Sequence, residues 1–394
     1  MLRIKDTIAG EPIYFYYVES ATDLTEVWEF IESHSALGID TESTGINCYQ
    51  RGWQLRTVQI ADAYDSYVIP ARYKKFIAGI MSLDINWIGH NGPHDIRCID
   101  TFLGYKTGVV CAGETYLPAH HYDSRNQKEG GVGHGLKEQA TKYVGFDAGK
   151  WEVALKAAFK EITLPIPGEV YKSGARKGLP KVRKAKLSEG WGLIDPEHPA
   201  YVAYAAADPL LTYRLWKHYQ PVVREQYKLY QFDKAVQQAA DTLQRRAIRL
   251  DVNYTRRLSA AYQSKADVFT KKANQYGCFN TNSGQQIAET IQRLGETLTA
   301  HTPTGQLKTD DGVLRDLASK TPIMAVQDFI HCVLGSKQLL KRRENYTEAM
   351  LREMDSEGRV HPSINTMGAR TTRMSVSNPP LQQLPTKDRE EDAA

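Results

Sequence analysis

Asp40 and Glu42, in the stretch Gly38-Ile39-Asp40-Thr41-Glu42, are the residues of this 394-residue chain whose types and spacing most directly suggest chemistry. They follow a short apolar run (Ala36, Leu37, Ile39). In an extended strand, side chains two apart project from the same face, so the two carboxylates would stand side by side. Adjacent buried acids repel unless a positive charge lies between them, and a divalent cation with hard oxygen ligands is the usual solution. An Asp-X-Glu triplet alone is common in solvated turns, so its meaning depends on what accompanies it. Two later stretches do so. Asn91-x-x-x-Asp95 follows the short apolar strand Trp87-Ile88-Gly89 and enters a helix near Pro93, where proline suits the first helical position. Tyr204-x-x-x-Asp208 lies on a helix beginning at Pro199, and its two residues share one face. Aspartate in mid-helix beside Pro209 is locally unfavourable, and a residue that resists its local preference points to a site. His90 and His94 could also ligate, although histidines in such places more often only hydrogen-bond.

These residues need a scaffold. Ile13–Val18, Thr57–Ala61 and Ser66–Pro70 are rich in aromatic and β-branched residues and read as strands. A helix capped by Thr22 or Asp23 runs to about Ser33. Strands followed by alternating helices and strands imply a mixed α/β sheet. Gly130-Gly131-Val132-Gly133-His134-Gly135 does not follow a convincing strand, so it reads as a connection into a helix from Leu136 to Val144 rather than a dinucleotide fingerprint. From Lys172 to Lys186 there are seven lysines and arginines and no acid. Gly174, Gly178 and Pro180 make this a loop that could attract a polyanion. Beyond about residue 220 the pattern turns helical: Ala235–Arg246, roughly 253–276, a helix from Gly284 capped by Asn280–Ser283, another capped by Thr309 or Asp310, and a basic helix with Lys337, Lys341, Arg342 and Arg343.

Composition sets the bounds. At 41% hydrophobic and 24% charged residues the chain is that of a globular protein, and its length suggests two or three domains. No apolar run approaches the ~18 residues of a membrane span, and the N-terminus lacks a signal peptide's apolar core. Five scattered cysteines without a Cys-x-x-Cys pair argue against a zinc ribbon or disulfide framework and suit a reducing cytoplasm. A net charge of +4 does not decide for or against nucleic acid.

Taken together, Asp40-x-Glu42, Asn91-x-x-x-Asp95 and Tyr204-x-x-x-Asp208 resemble the three motifs of the DEDD superfamily of 3′–5′ exonucleases. The subtype with histidine carries it five residues before the last Asp, where this chain has Ala203; Tyr204 makes it similar to the tyrosine subtype. The second half resembles the thumb of family A DNA polymerases in Asn280-Thr-Asn-Ser-Gly-Gln-Gln-Ile, Thr302-Pro-Thr-Gly and Gly358-Arg-Val-His-Pro-Ser. The stretch Thr371–Pro385 is similar to that family's TGRLSSxxPNLQNIP block, matching at Arg373, Pro379, Leu381, Gln382 and Pro385 and departing at Thr372, Met374, Val376, Pro380, Gln383 and Leu384.

The resemblance implies an α/β ribonuclease H-like exonuclease domain over residues 1–220, a mixed sheet with flanking helices, and a mainly α-helical thumb-like region over 221–394. It implies two Mg²⁺ or Mn²⁺ ions held by Asp40, Glu42, Asp95 and Asp208, with Tyr204 orienting the attacking water. Asn91 would position the 3′-terminal nucleotide, Lys337 and Lys341 would grip duplex backbone, and Arg373 would lie near the primer terminus. The implied partner is DNA, as a single-stranded 3′ end and as a primer–template duplex. The family's polymerase carboxylates lie beyond the Thr371–Pro385 block. The chain is therefore expected to lack palm and fingers, whether as a fragment, one half of a split enzyme completed by a separate chain, or a truncated reading frame. The acids past Asn345 fit that expectation: Glu348, Glu353, Asp355 and Glu357 fall on a helix and turn, and Asp388, Glu390, Glu391 and Asp392 on a charged tail. The competing readings are a stand-alone ribonuclease D-like exoribonuclease and a non-catalytic DNA clamp for a separate polymerase subunit.

Overall fold

A computed structural model describes residues 1–384; Pro385 and the acidic tail lie outside the described residues. By their contacts the described residues form two compact units, one of Met1–Arg246 with Ile364–Ser375, the other of Ala247–Ser363 with residues 376–384.

The first unit is built on a seven-stranded mixed sheet. Its strands are β1 (Leu2–Ile8), β2 (Glu11–Tyr17), β3 (Ala36–Ser43), β4 (Leu55–Ala61), β5 (Asp65–Pro70), β6 (Asn86–Gly89) and β7 (Gly113–Glu114), in the order β1-β2-β5-β4-β3-β6-β7. β5, β4 and β3 form an antiparallel meander, and β6 and β7 continue in parallel beside β3. The edge strand β1 was not anticipated. Its side chains alternate between half-buried and exposed, and it pairs with β2 over its whole length.

Helices cover both faces. On one lie α1 (Leu24–Glu32), α2 (Lys74–Ile80) and α3 (Pro93–Leu103), and Val27, Ile31, Ile77, Ile96 and Ile99 meet Leu37, Ile39, Val58 and Ile60 there. Asp23, one of the two expected caps, directly precedes α1, behind a short turn that Ser20 opens. The Asp23 carboxylate reaches back to accept from the Glu19 and Ser20 amides, each at 3.0 Å, so Asp23 sits inside the turn it stabilises. After the short α4 (Tyr116–Tyr122), α5 (Leu136–Tyr143), α6 (Lys150–Glu161) and α8 (Pro199–Glu225) cover the other face, burying Trp151, Leu155, Phe159, Tyr201, Leu210 and Leu211 against Phe15, Tyr17 and Val68.

Between α6 and α8 the expected loop holds for residues 172–179, while Pro180–Lys184 departs from it as a strand. Thr163–Val170 (β8) and Pro180–Lys184 (β9) pair as an antiparallel hairpin, followed by α7 (Leu187–Leu193). The glycines and proline that suggested a loop serve the hairpin's end: Gly174 and Gly178 take φ of 76° and 84°, a region open to glycine, and Pro180 opens an exposed strand.

Contacts carry the first unit past the 220 boundary expected from sequence. Helix α9 (Tyr227–Arg246) lies against α3 and α4, where Arg245 pairs with Asp100 at 2.7 Å, His121 with Asp233 at 2.7 Å, and the Tyr230 hydroxyl bonds the Glu114 amide nitrogen at 2.8 Å. The unit also takes in 364–375: Met367 is buried with Leu117, Val223 and Tyr230.

The second unit is mainly helical, as expected. It opens with the short strand β10 (Ile248–Arg249), paired with β11 (Arg359–Val360). Between them come α10 (Val252–Gln275), α11 (Gly284–Arg293), α12 (Asp311–Lys320), α13 (Met324–Arg342) and α14 (Ala349–Glu353), around a core of Ile287, Ile291, Leu314, Phe329, Ile330 and Val333. Ser283 caps α11 and Asp310 caps α12 through their side-chain oxygens.

Candidate active site

Strand β3 supplies two faces with different jobs. Leu37, Ile39 and Thr41 face α1 and α3, while Gly38, Asp40 and Glu42 face α8. Helix α8 comes very close at this point: a Cβ added to Gly38 would lie 2.2 Å from the Pro209 carbonyl oxygen. That approach seats Asp208, the residue before Pro209, against the strand's two acids. Carboxylate oxygens of Asp40, Glu42 and Asp208 all lie within 4.8 Å of one another. Glu42 and Asp208 are buried and Asp40 is half-buried.

Asp95 is placed differently. It enters from the first turn of α3, and its Oδ1 accepts a 2.6 Å hydrogen bond from Thr41, on the strand face opposite Asp40 and Glu42. It is close enough to raise the pKa of both acids, but its oxygens are not part of the three-carboxylate group.

Burial in this cluster disfavours charge. It pushes the Asp40 carboxyl well above its ordinary range, with Asp95 and Glu42 adding to the effect. Glu42 rises to about 8 and Asp95 to about 7, both mainly through burial. The counter-charge comes from a residue the sequence reading did not single out. Lys137, in the first turn of α5, has its Nζ buried against Asp208 Oδ1 and 4.4 Å from the centre of the Tyr204 ring. Burial lowers its own pKa to about 8, against the pull of Asp40 and Glu42. A signal for it existed: a cation in the first turn opposes the helix dipole, so Lys137 is locally misplaced unless acids face it.

Tyr204 sits one turn before Asp208, its ring edge-on to Trp191 at 5.5 Å. Burial drives its hydroxyl pKa upward, with Glu42 and Asp40 adding to it, so at neutral pH the phenol stays protonated. Below it Tyr201 shares a 2.9 Å hydrogen bond with Thr57, and Arg56 donates to the carbonyls of Trp191 and Ile194, tying α7 to the sheet.

Asn91 is exposed, in the left-handed region at φ 64°. Its strain is held by Glu114, a second residue missed from sequence. This buried carboxylate accepts from the amides of Asn91, Gly92 and Tyr116 at 2.7, 2.8 and 2.9 Å, fixing the turn that aims α3. His90 bonds Thr115 at 2.9 Å and His94 lies beside Arg97 and Cys98; burial lowers both to about 4, and neither is in the carboxylate group.

The remaining predicted residues belong to other parts of the chain. In the second unit Lys337 and Lys341 line a cleft of about 330 Å³ with Asp311, Gln338, Arg342 and Tyr346. Lys337 is half-buried, its Nζ donating to the Thr309 carbonyl at 3.4 Å; Lys341 is exposed. Arg373 is exposed in the segment that joins the first unit. All five cysteines are free, buried thiols, and no described helix is long and apolar enough to cross a membrane.

A divalent cation fits the donor set: three carboxylates converge, two of them buried and one half-buried, more than Lys137 alone can neutralise, and Asp208 Oδ1 has no hydrogen-bond donor other than that lysine's crowded Nζ. Hard oxygen donors suit Mg²⁺ or Mn²⁺.

Known proteins match this chain over both of its halves. Residues 15–224, more than half of the chain, match the family described as 3′–5′ exonuclease, and residues 252–394 match DNA polymerase family A. The chain is 27% identical to the DNA polymerase of Mycobacterium phage D29, over 98% of this chain and 62% of that one, and 26% identical to the phage L5 polymerase over the same shares. It is 30% identical to DNA polymerase I of Chloroflexus aurantiacus, covering 97% of this chain and 38% of that polymerase. Thus it spans about six-tenths of the length of its phage relatives. The fold is similar to the POL domain of Pol1 from M. smegmatis in its complex with DNA primer-template and dNTP, with a TM-score of 0.60 and 14% identity over 95% of this chain and 56% of that one. The chain belongs to DNA polymerase family A and carries that family's 3′–5′ exonuclease domain over residues 15–224.

Proposed function

We propose that the first unit is a proofreading exonuclease that removes nucleotides one at a time from a DNA 3′ end, by the two-metal chemistry of the tyrosine DEDD subtype. The observation that carries this is the convergence of Asp40, Glu42 and Asp208 within 4.8 Å, with Lys137 and Tyr204 beside them. The meander β5-β4-β3 continued by parallel β6 and β7 supports reading the sheet as ribonuclease H-like.

Asp40, Glu42 and Asp208 would hold the metal, and Asp95 would join them on leaving Thr41. Mg²⁺ or Mn²⁺, two ions in the full site, would supply positive charge at the scissile phosphate and a water made nucleophilic at neutral pH. Tyr204, protonated, would donate a hydrogen bond that orients the attacking water, and Glu42 would accept from it. Asn91, exposed on its strained turn, would position the terminal nucleotide. In the second unit, Lys337 and Lys341 would contact duplex phosphates, and Arg373 would lie near the primer terminus. Nucleotide addition calls for another carboxylate pair, which the described residues past Asn345 do not group: Glu348 is bonded to Ser259 and Arg343, and Asp355 to His361. For that step we propose palm and fingers supplied from outside these residues.

The test is release of nucleotides from a 3′-labelled single strand in Mg²⁺, compared between the parent and Asp40→Ala. The expected loss is at least about 10³-fold, since most of the electrostatic stabilisation goes with a metal ligand, at an unchanged fold by circular dichroism. Equal rates would overturn the assignment.

A further inference from the structure

The chemistry above makes no use of the hairpin β8–β9, although the stretch from Lys172 to Lys186 that runs through it holds seven cations and no acid. Both strands are largely exposed, and every residue from Lys172 to Lys184 is exposed. A two-stranded ribbon without a buried face is marginal on its own, so its persistence calls for a use.

Its charges divide into two sets. In the stem, acids compensate the cations: Lys181 meets Glu169 at 2.9 Å, Arg183 meets Glu189 at 2.8 Å, and Lys184 meets Glu161 at 3.4 Å. At the tip, among the described residues, Lys172, Arg176 and Lys177 have no acid beside them. Arg176 instead lies over the Tyr171 ring, 5.8 Å from its centre. Lys186, just past the stem, faces Glu189, whose carboxylate accepts from the Lys186 amide at 2.7 Å. Surface cations within a Debye length of one another raise the local anion concentration unless they are neutralised, and within this hairpin the described tip cations are the ones left without an acid.

The hairpin is also rooted beside the carboxylate cluster. At its base the Ala185 amide bonds the Ile162 carbonyl at 2.8 Å. Phe159 in α6 packs edge-on against Trp191 in α7 at 5.2 Å, and Trp191 against Tyr204 at 5.5 Å. A ribbon of some eight residues reaches roughly 25 Å from that root. On the exonuclease reading, the burial of Glu42 and Asp208 would admit a phosphodiester as one threaded strand.

We infer that the tip of the β8–β9 hairpin, through Lys172, Arg176 and Lys177 with Tyr171, is a binding site for the phosphate backbone of single-stranded DNA whose 3′ end is directed to the neighbouring carboxylate cluster. The direction of the strand rests on the exonuclease reading; the binding does not. Tip cations give the backbone its counter-charge, and Tyr171 offers a face on which a base can stack regardless of sequence.

The test is binding of a fluorescent oligothymidylate of about 16 nucleotides to the full chain in EDTA, followed by anisotropy at several KCl concentrations. The variant Lys172→Glu/Arg176→Glu/Lys177→Glu is compared with the same charge change at exposed Lys75, Lys106 and Lys128. The tip variant is expected to bind at least about tenfold more weakly, with a slope of log K against log salt shallower by about 2, at ~0.7 per lost single-strand contact. The control should keep the parent's slope. Equal slopes for parent and tip variant, or equal losses in the two variants, would overturn the inference. Since EDTA removes the chemistry, a parent that binds through the tip yet releases no nucleotide in Mg²⁺ would refute the exonuclease reading and leave the binding site standing.

Discussion

Replacing Gly38 by alanine tests the claim that the site is assembled by the contact between a strand and a helix. The new Cβ would lie 2.2 Å from the Pro209 carbonyl oxygen, where ordinary contact begins at 3.4 Å, so the elements must separate by about 1.2 Å. The obstacle is backbone on both sides, so no side chain can turn away to relieve it. Alanine is the better strand residue by ~0.5–1 kcal/mol, but overpacking costs about 1–3 kcal/mol, and the clash wins. A net loss of about 1–2 kcal/mol lowers Tm by roughly 2–8 °C in a unit of this size. The larger effect falls on chemistry, because Asp208 precedes the displaced Pro209 while Asp40 and Glu42 stay with the strand. A displacement of ~1 Å is enough to cost about 10²-fold in rate. The assay is Mg²⁺-dependent nucleotide release alongside calorimetric Mn²⁺ titration, with Gly149→Ala as control, since a Cβ there meets nothing within 4 Å. Gly38→Ala should be slower by about two orders of magnitude and bind Mn²⁺ more weakly, while the control matches the parent. If Gly38→Ala keeps the parental rate and Mn²⁺ affinity, the carboxylates are not brought together by this contact.

Two further outcomes follow from the cluster's electrostatics. In EDTA, Glu42 holds its proton in the folded state up to about 8 but only to its ordinary value near 4.5 when unfolded. Between those values the folded state binds more protons, so stability should fall as pH rises, by up to about 1.4 kcal/mol per unit. Lys137, lowered from 10.5 to about 8, acts above that window, where its contribution grows as pH rises. Melting of Glu42→Gln in EDTA across pH 5 to 8 should show a smaller fall than the parent; identical profiles would remove Glu42 from the buried cluster. Tyr204→Phe should slow cleavage while leaving Mn²⁺ affinity unchanged, since the ring over Lys137 remains and only the hydroxyl goes. A parental rate from pH 6 to 9 would exclude Tyr204 from the reaction.

Much of this chain is settled by local patterns. The alternation around Asp40 and Glu42, proline at the start of the helix bearing Asp95, and the i, i+4 pair Tyr204 and Asp208 each put an acid on a known face of a known element. Such short-range rules depend on backbone periodicity alone. The same holds for the helical second half, whose capping residues Ser283 and Asp310 act within one turn. What only the tertiary structure decided depends on contacts between residues far apart in sequence. Asp95 is bonded to Thr41, and strand alternation turns Thr41 away from Asp40 and Glu42, so the cluster has three carboxylates where sequence suggested four. Lys137, between the second and third motifs, becomes the cluster's counter-charge only once α5 lies beside α8. Glu114 is one acid among many until β7 sets it under the Asn91 turn. Pro180–Lys184, in the basic stretch from Lys172, looked like a loop because glycine and proline argue against strands locally, yet cross-strand pairing is a long-range bond that no local propensity records. Periodicity settles what each element presents; which presented groups meet is settled by packing, through approaches as close as Gly38 to Pro209.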